Sequence, residues 1–280
     1  ALDEDVNNSG NAVGHEKWTA AGQNFIVPIY FNRTANTVTR LKTPADTGNT
    51  EMSAQAHALT GNSQFAVGYL DSDGAAGSGP SVGCYWNLQT NTFFAVGGTR
   101  EILDISDDGL SVLLITSSGE GQLRRGTAVG QWTNTLYSFT EPRRGRISPD
   151  GNTIASSEVR SGRPQPFLYN ATTSQRRNLA LGGAYDIGAT IGAVSNLGHV
   201  LGTLQRSSSG STVAVYWESP TAAYITIPDL LQSDGHVSLE PDYANWRVYN
   251  GGDGMSADGS IFGVYGNNPN GLEDALMFQR

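Results

Sequence analysis

The sequence predicts an all-β fold of six tandem strand-rich repeats, a six-bladed β-propeller, with a seven-bladed ring carrying one degenerate blade as the alternative. Three observations predict it. Glycine makes up 35 of 280 residues, well above the usual share of about 7%, alongside many Asn, Ser and Thr. Such a chain is rich in tight turns, because Gly and Asn tolerate the positive φ that turns between short strands demand. Six segments share the outline of a turn followed by a β run: 7–14, 61–68, 106–113, 148–155, 195–202 and 256–263. Anchoring them at Gly10, Gln64, Gly109, Gly151, Gly198 and Gly259 gives spacings of 54, 45, 42, 47 and 61 residues, near the roughly 40–50 residues of a four-stranded blade. Finally, an aromatic follows each anchor after 18 to 23 residues: Phe31, Trp86, Trp132, Tyr169, Trp217 and Phe278.

Each repeat resolves into the same elements in order. An inner strand runs into the anchor turn, and a second strand leaves it. A third strand carries the aromatic, and a Thr/Asn-rich turn such as NRTANT or NLQTNT starts an outer strand. So small a sheet buries its faces only by stacking on its neighbours, and ring closure protects the edges. The aromatics accordingly read as packing residues between blades. The repeats span about 1–53, 54–100, 101–145, 146–188, 189–235 and 236–280 of one domain. Insertions fall at 71–79 and 234–253, and PDLLQ (228–232) reads as one short helical turn. The last repeat reaches Arg280 just after its third strand, which predicts a three-stranded sheet or one completed by residues from elsewhere.

Charge narrows the partners. The formal net charge is -9, and Lys17 and Lys42 are the only lysines. Nothing here resembles the basic footprint of a nucleic-acid binder, nor a surface attracted to anionic lipid. No apolar run approaches the roughly 20 residues of a membrane-spanning helix. Cys84, the single cysteine, sits in the apolar stretch VGCYW and reads as a buried small hydrophobe. The start at Ala1 in place of Met fits either a processed or a trimmed chain.

DVNNSGNAVGH (5–15), TVAVYW (212–217) and DALMF (274–278) resemble the bacterial extracellular repeat family named for its His-Ala-Phe signature. That family's histidine is replaced throughout, by Val27, Val82, Ala128, Gln165, Val213 and Asp274. SPDGNTIA (148–155) is similar to the blades of TolB-type propellers. The resemblance implies a secreted, periplasmic or cell-surface setting, and it carries over no catalytic residue.

Candidate site residues follow from position. Five residues before the anchors, the inner strands hold Asp5, Leu59, Asp104, Arg146, Ala193 and Gly254. Asp5, Asp104 and Arg146 are therefore candidates for one ligand-binding level, which Asp186 or Asp253 would join. Carboxylates brought together there would hold a cation or act as an acid/base pair; the competing reading is that they cap turns or pair with arginines. Trp18 and Trp246 stand outside the repeated aromatic position in polar segments and suit stacking on a sugar face. Asp71 and Asp73, in DSDG, are candidate calcium ligands, as is the cluster DED (3–5), although neither has the EF-hand Glu at its twelfth position. No other cofactor is expected. His15, His57, His199 and His236 form no HxxH or HExxH pair, and no nucleophile elbow or P-loop is present. The leading reading is a non-catalytic binding or scaffold module for a glycan or protein. The alternatives are a glycoside hydrolase or polysaccharide lyase, and a structural module of a larger assembly.

Overall fold

The structure, a computed structural model, describes residues 5–20, 23–44, 53–71, 81–140, 142–160, 162–182, 188–205, 210–233, 247–267 and 270–280. The chain divides into two compact units, Ala1–Glu141 and Pro142–Arg280. Each carries three consecutive antiparallel sheets.

In the first unit, β1 (Asp5–Val6), β2 (Ala12–Ala20), β3 (Gln23–Asn32) and β4 (Thr37–Arg40) form one sheet in sequence order. Next come β5 (Ala54–Leu59), β6 (Phe65–Asp71), β7 (Ser81–Asn87) and β8 (Thr92–Ala95). A third sheet follows, of β9 (Thr99–Ile105), β10 (Ser111–Thr116), β11 (Gly121–Arg125) and β12 (Asn134–Phe139). The second unit opens with β13 (Pro142–Ile147), β14 (Thr153–Arg160), β15 (Arg163–Asn170) and β16 (Gln175–Asn178). Then follow β17 (Gly188–Val194), β18 (Val200–Gln205), β19 (Thr212–Trp217) and β20 (Ile225–Thr226). The last sheet is β21 (Arg247–Met255), β22 (Ile261–Asn267) and β23 (Glu273–Gln279), with three strands among the described residues. The helical turn expected at PDLLQ is α1 (Ile227–Ser233). The Thr226 hydroxyl caps it by accepting from the Asp229 N–H.

The anchor turns share one construction. The residue that opens each turn accepts, on its side-chain oxygen, the N–H of the residue that starts the second strand. The pairs are Asn7 with Asn11, Thr60 with Phe65, Ser106 with Ser111, Ser148 with Thr153, Ser195 with His199, and Ser256 with Ile261, all at 2.9–3.1 Å. Three residues after the opener the backbone turns left-handed, at Gly10, Ser63, Gly109, Gly151, Gly198 and Gly259. The second anchor is therefore Ser63, at φ 56°, and not Gln64. The mismatch has a physical source: turns two, three, four and six span five residues from opener to bonded N–H, whereas turns one and five span four. Matching AVG to AVG between the first two repeats hides that extra residue.

A serine at positive φ costs roughly 1–2 kcal/mol, and here it is tied down. The Ser63 hydroxyl accepts from the side-chain amides of Asn7 (2.5 Å) and Asn11 (2.8 Å) in the preceding blade. Neighbouring turns are linked in the same way elsewhere. The Gly61 N–H donates to the Asp107 carbonyl at 3.1 Å, the Asp150 N–H to Asn196 Oδ1 at 2.9 Å, and the Asn196 N–H to the Ala257 carbonyl at 2.8 Å.

Between blades the cores are continuous within each unit. Val13, Tyr30 and Leu41 pack with Ala54, Ala56, Leu70, Cys84 and Trp86. Ala155, Leu168 and Leu179 pack with Ile191, Val200 and Trp217. Leu201, Tyr216 and Leu230 pack with Phe262 and Val264. Trp86 and Trp217 are fully buried and also pin the link that leaves the previous blade. Their indole N–H groups donate to the Lys42 carbonyl (2.7 Å) and the Ala180 carbonyl (3.1 Å). Trp132 differs from the expectation. It lies on the connector between β11 and β12, not on the third strand, and its indole N–H closes its own blade's turn at the Gly109 carbonyl. Cys84 is fully buried, and burial pushes its thiol well above its ordinary pKa.

Two expected outcomes test this framework. Asn7→Ala removes both the turn closure and the tie to Ser63, so chemical denaturation should show a loss of about 2 kcal/mol. Asp258 is held down to about 2, from an ordinary 3.8, by hydrogen bonds from Ser256 and Ser260. A depressed folded-state pKa adds stability that is complete above the ordinary value and disappears as pH falls towards the folded one. The stability difference between wild type and Asp258→Asn should therefore be constant above pH 5 and narrow between pH 4 and pH 2.

Candidate functional site

The inner strands carry a repeated irregularity that aims side chains out of the ladder. Pairing between the first and second strands skips one residue at His57 in blade two, Leu103 in blade three and Gly192 in blade five. Each lies six residues before the left-handed turn position. A bulge of this kind bends the strand and re-aims its side chain. In blade five the position requires glycine, because a Cβ on Gly192 would lie 2.3 Å from the Gly252 carbonyl oxygen of the next blade.

In blade two the bulged residue is a histidine. His57 Nε2 sits 3.0 Å from Glu101 Oε1 on β9, the inner strand of the next blade. The His57 ring packs against Tyr69 on β6, with centroids 5.4 Å apart. The Tyr69 hydroxyl donates to Gln55 Oε1 at 3.3 Å, and the Gln55 amide meets His15 Nδ1 on β2 at 3.3 Å. A chain of polar side chains thus crosses three consecutive blades, in the order His15, Gln55, Tyr69, His57, Glu101. Gln55 and Glu101 occupy one register, eight residues before Ser63 and Gly109. All five are half-buried: the side chains of His57 and Glu101 are 14% and 24% exposed.

The residues singled out from sequence are placed as follows. Asp5 Oδ2 accepts the Leu59 N–H of the next blade at 2.9 Å. Asp104 is buried, and its Oδ1 accepts the Ile105 N–H at 2.8 Å. Arg146, in the second unit, donates through Nε to the Gly192 carbonyl at 2.9 Å. Two of these three bridge to the backbone of the following blade. Asp71 is buried at the end of β6, two residues beyond Tyr69, with its N–H bonded to the Ser53 carbonyl. Trp18 pairs through its backbone with Phe25. Asp73, Asp186 and Trp246, together with Asp3 and Glu4, lie outside the described residues. Among the described residues no group of three or more His, Cys, Asp or Glu is placed to hold a metal ion.

Sequence reasoning missed the His57–Glu101 pair and its Gln55–Tyr69 flank. Placing the second anchor at Ser63 would have set Gln55 level with Glu101, the one signal available.

A second charged cluster serves packing. Glu158 on β14 is buried between Arg160 and Arg176, and Arg176 also stacks over Phe167 at 4.2 Å. Burial works to raise the Glu158 carboxyl, but hydrogen bonds from Arg176 and Arg160 outweigh it and leave it below its ordinary pKa.

No family model matches the sequence, and no curated protein matches it either. Solved structures do. TolB from Acinetobacter baumannii matches with a TM-score of 0.57 at 13% identity, over 98% of this chain. The chain spans 64% of that protein's length. The β-propeller domain of the Trilobed protease from Pyrococcus furiosus, described as having an open velcro topology, matches at 0.58 and 7% identity, over 98% of this chain and 79% of that one. A chain of the nidogen/laminin complex matches at 0.51 and 11% identity, over 97% and 94%. These likenesses give the fold: the six sheets are the blades of a β-propeller. No helix among the described residues is long and apolar enough to cross a membrane.

Gly192→Ala tests the close approach of blades five and six. Overpacking of this kind typically costs 1–3 kcal/mol, so thermal unfolding should show a loss of about 2 kcal/mol. The same change at Gly97, where nothing lies within 4 Å, should leave the midpoint nearly unchanged.

Proposed function

We propose that this propeller is a non-catalytic binding or scaffold module of a secreted, periplasmic or cell-surface protein, with a glycan or protein partner. One observation carries the reading: charged inner-strand residues that would serve an enzyme act as ties between blades. Asp5 holds Leu59 N–H and Arg146 holds the Gly192 carbonyl. The small and aliphatic inner-strand residues, such as Ala54, Ala56, Ala58 and Leu59 of β5 and Ala189, Ile191 and Ala193 of β17, are buried in the cores between blades. The resemblance of the repeats to extracellular bacterial ones supports the setting. That a chain of the nidogen/laminin complex shares the fold supports a macromolecular partner. Tol-type propellers are similar in fold alone, at 13% identity, and lend no specific partner.

The test pairs turnover with binding. Incubation with a panel of neutral and acidic polysaccharides should release no reducing ends and no unsaturated uronates. At a concentration 100 times its dissociation constant, a true ligand should stabilise the protein by about 2.7 kcal/mol in a melt. Turnover of any polysaccharide that disappears in Asp5→Asn or Asp104→Asn would contradict the reading and favour the hydrolase or lyase alternative.

A further inference from the structure

We propose that the arginine-rich β14–β15 hairpin of blade four, with β16 beside it, is a binding surface for an acidic polysaccharide. The proposal rests on the binding reading above and gives it a place and a ligand class.

The charge of this acidic chain is unevenly spread. Residues 142–178 hold seven of its 15 arginines, no lysine and only two acidic residues, Asp150 and Glu158, although the chain as a whole carries a net charge of -9. Part of that excess sits where β14 turns into β15. Arg160 and Arg163 stand directly opposite each other as the last pair of the hairpin, an arrangement that is destabilising for like charges. Both reach solvent: the Arg160 side chain is 54% exposed, and Arg163 is exposed. Buried Glu158 accepts Arg160 Nε and Arg176 Nη2 on the same oxygen, Oε1. Phe167 lies under the Arg176 guanidinium at 4.2 Å. Two guanidiniums are thereby held beside one another in advance, and a single carboxylate cannot neutralise both. Glu158 engages Arg160 through Nε, and a guanidinium has further N–H donors to offer a ligand. An anion placed over this hairpin end relieves the repulsion that the sequence has built into it.

The surroundings select the kind of anion. Arginine's planar fork pairs with a carboxylate or sulfate through two parallel hydrogen bonds. A folded protein partner needs apolar or aromatic anchors at the centre of its interface. None of the exposed large hydrophobics among the described residues lies in 142–178. A single-stranded nucleic acid needs open aromatic faces on which its bases stack, and Phe167 and Tyr169 are buried. It also brings a dense line of phosphates against a chain of net charge -9. A polysaccharide with one acidic group on each sugar carries its charge more sparsely, and its hydroxyls suit the exposed Gln175 and Asn178 that flank Arg177 on β16.

The experiment is isothermal titration of the intact chain, at low salt, with oligogalacturonate, a heparin-derived oligosaccharide, dextran, poly-L-glutamate and a single-stranded DNA oligonucleotide. Oligogalacturonate or the heparin oligosaccharide should bind, and dextran should not. Raising the salt from about 20 to about 300 mM should weaken that binding about tenfold or more. Arg163→Glu should weaken it about tenfold. Arg100→Glu makes the same charge change at an exposed position on β9 and should leave binding within about twofold. Both variants should melt within about 2 °C of wild type. If Arg163→Glu is destabilised, Arg160→Gln, which leaves Arg176 on Glu158, serves in its place. Failure of both acidic saccharides to bind overturns the proposal, as does equal weakening by Arg100→Glu, or tighter binding of poly-L-glutamate or DNA. Binding of dextran alone also overturns it but leaves the binding reading standing, whereas turnover of a saccharide defeats the binding reading and the proposal with it.

Discussion

The structure depends on one local interaction, made six times: a side-chain oxygen at the mouth of a turn accepts the N–H that begins the next strand. It closes a loop whose fourth residue is left-handed, and so fixes where the inner strand ends and the second begins. Register then follows, because a one-residue slip in a strand moves every side chain to the opposite face. With register fixed, Trp86 and Trp217 arrive at the blade junctions and can reach the link behind them. The inner-strand bulges are fixed as well, since three of them keep a constant distance from the turn. Site geometry is thus inherited from turn geometry.

The openers are Asn, Thr and Ser, and all three work because each places one oxygen close to the chain. Their tolerance of exchange explains why the repeats diverge in sequence while keeping one shape. Asn7 does more than the others. Its carbonyl oxygen closes its own turn, while its amide hydrogens reach Ser63 and the carbonyls of Thr60 and Gly61 in the next blade. A serine opener has no spare donors for this, and blades four and five solve the same problem with Asn196.

The fold was largely legible in the sequence, since turn glycines and aromatics recur at blade spacing and both have strong local causes. Misreadings fell where local cues compete. Gln64 stood in for Ser63 because the AVG run is a more visible match than a turn one residue longer. The regular spacing of Trp132 from Gly109 suggests a strand position, although its indole is anchored to the turn and its backbone lies outside the strands. The site was less legible. Asp5, Asp104 and Arg146 share a register, but a register gives a level and not a partner, and two of them found backbone in the next blade. The His57–Glu101 pair needs a bulge, and nothing in the string AQAHAL announces one.

The central claim is that the six opener bonds are structural and not incidental surface contacts. Native-state hydrogen exchange of the receiving amides, those of Asn11, Phe65, Ser111, Thr153, His199 and Ile261, measures it most directly. If the account holds, these amides exchange as slowly as the buried ladder amides of β10 and β14, although their turns lie at the surface. Exchange at the rate of exposed loop amides, with the strands themselves still protected, would contradict it.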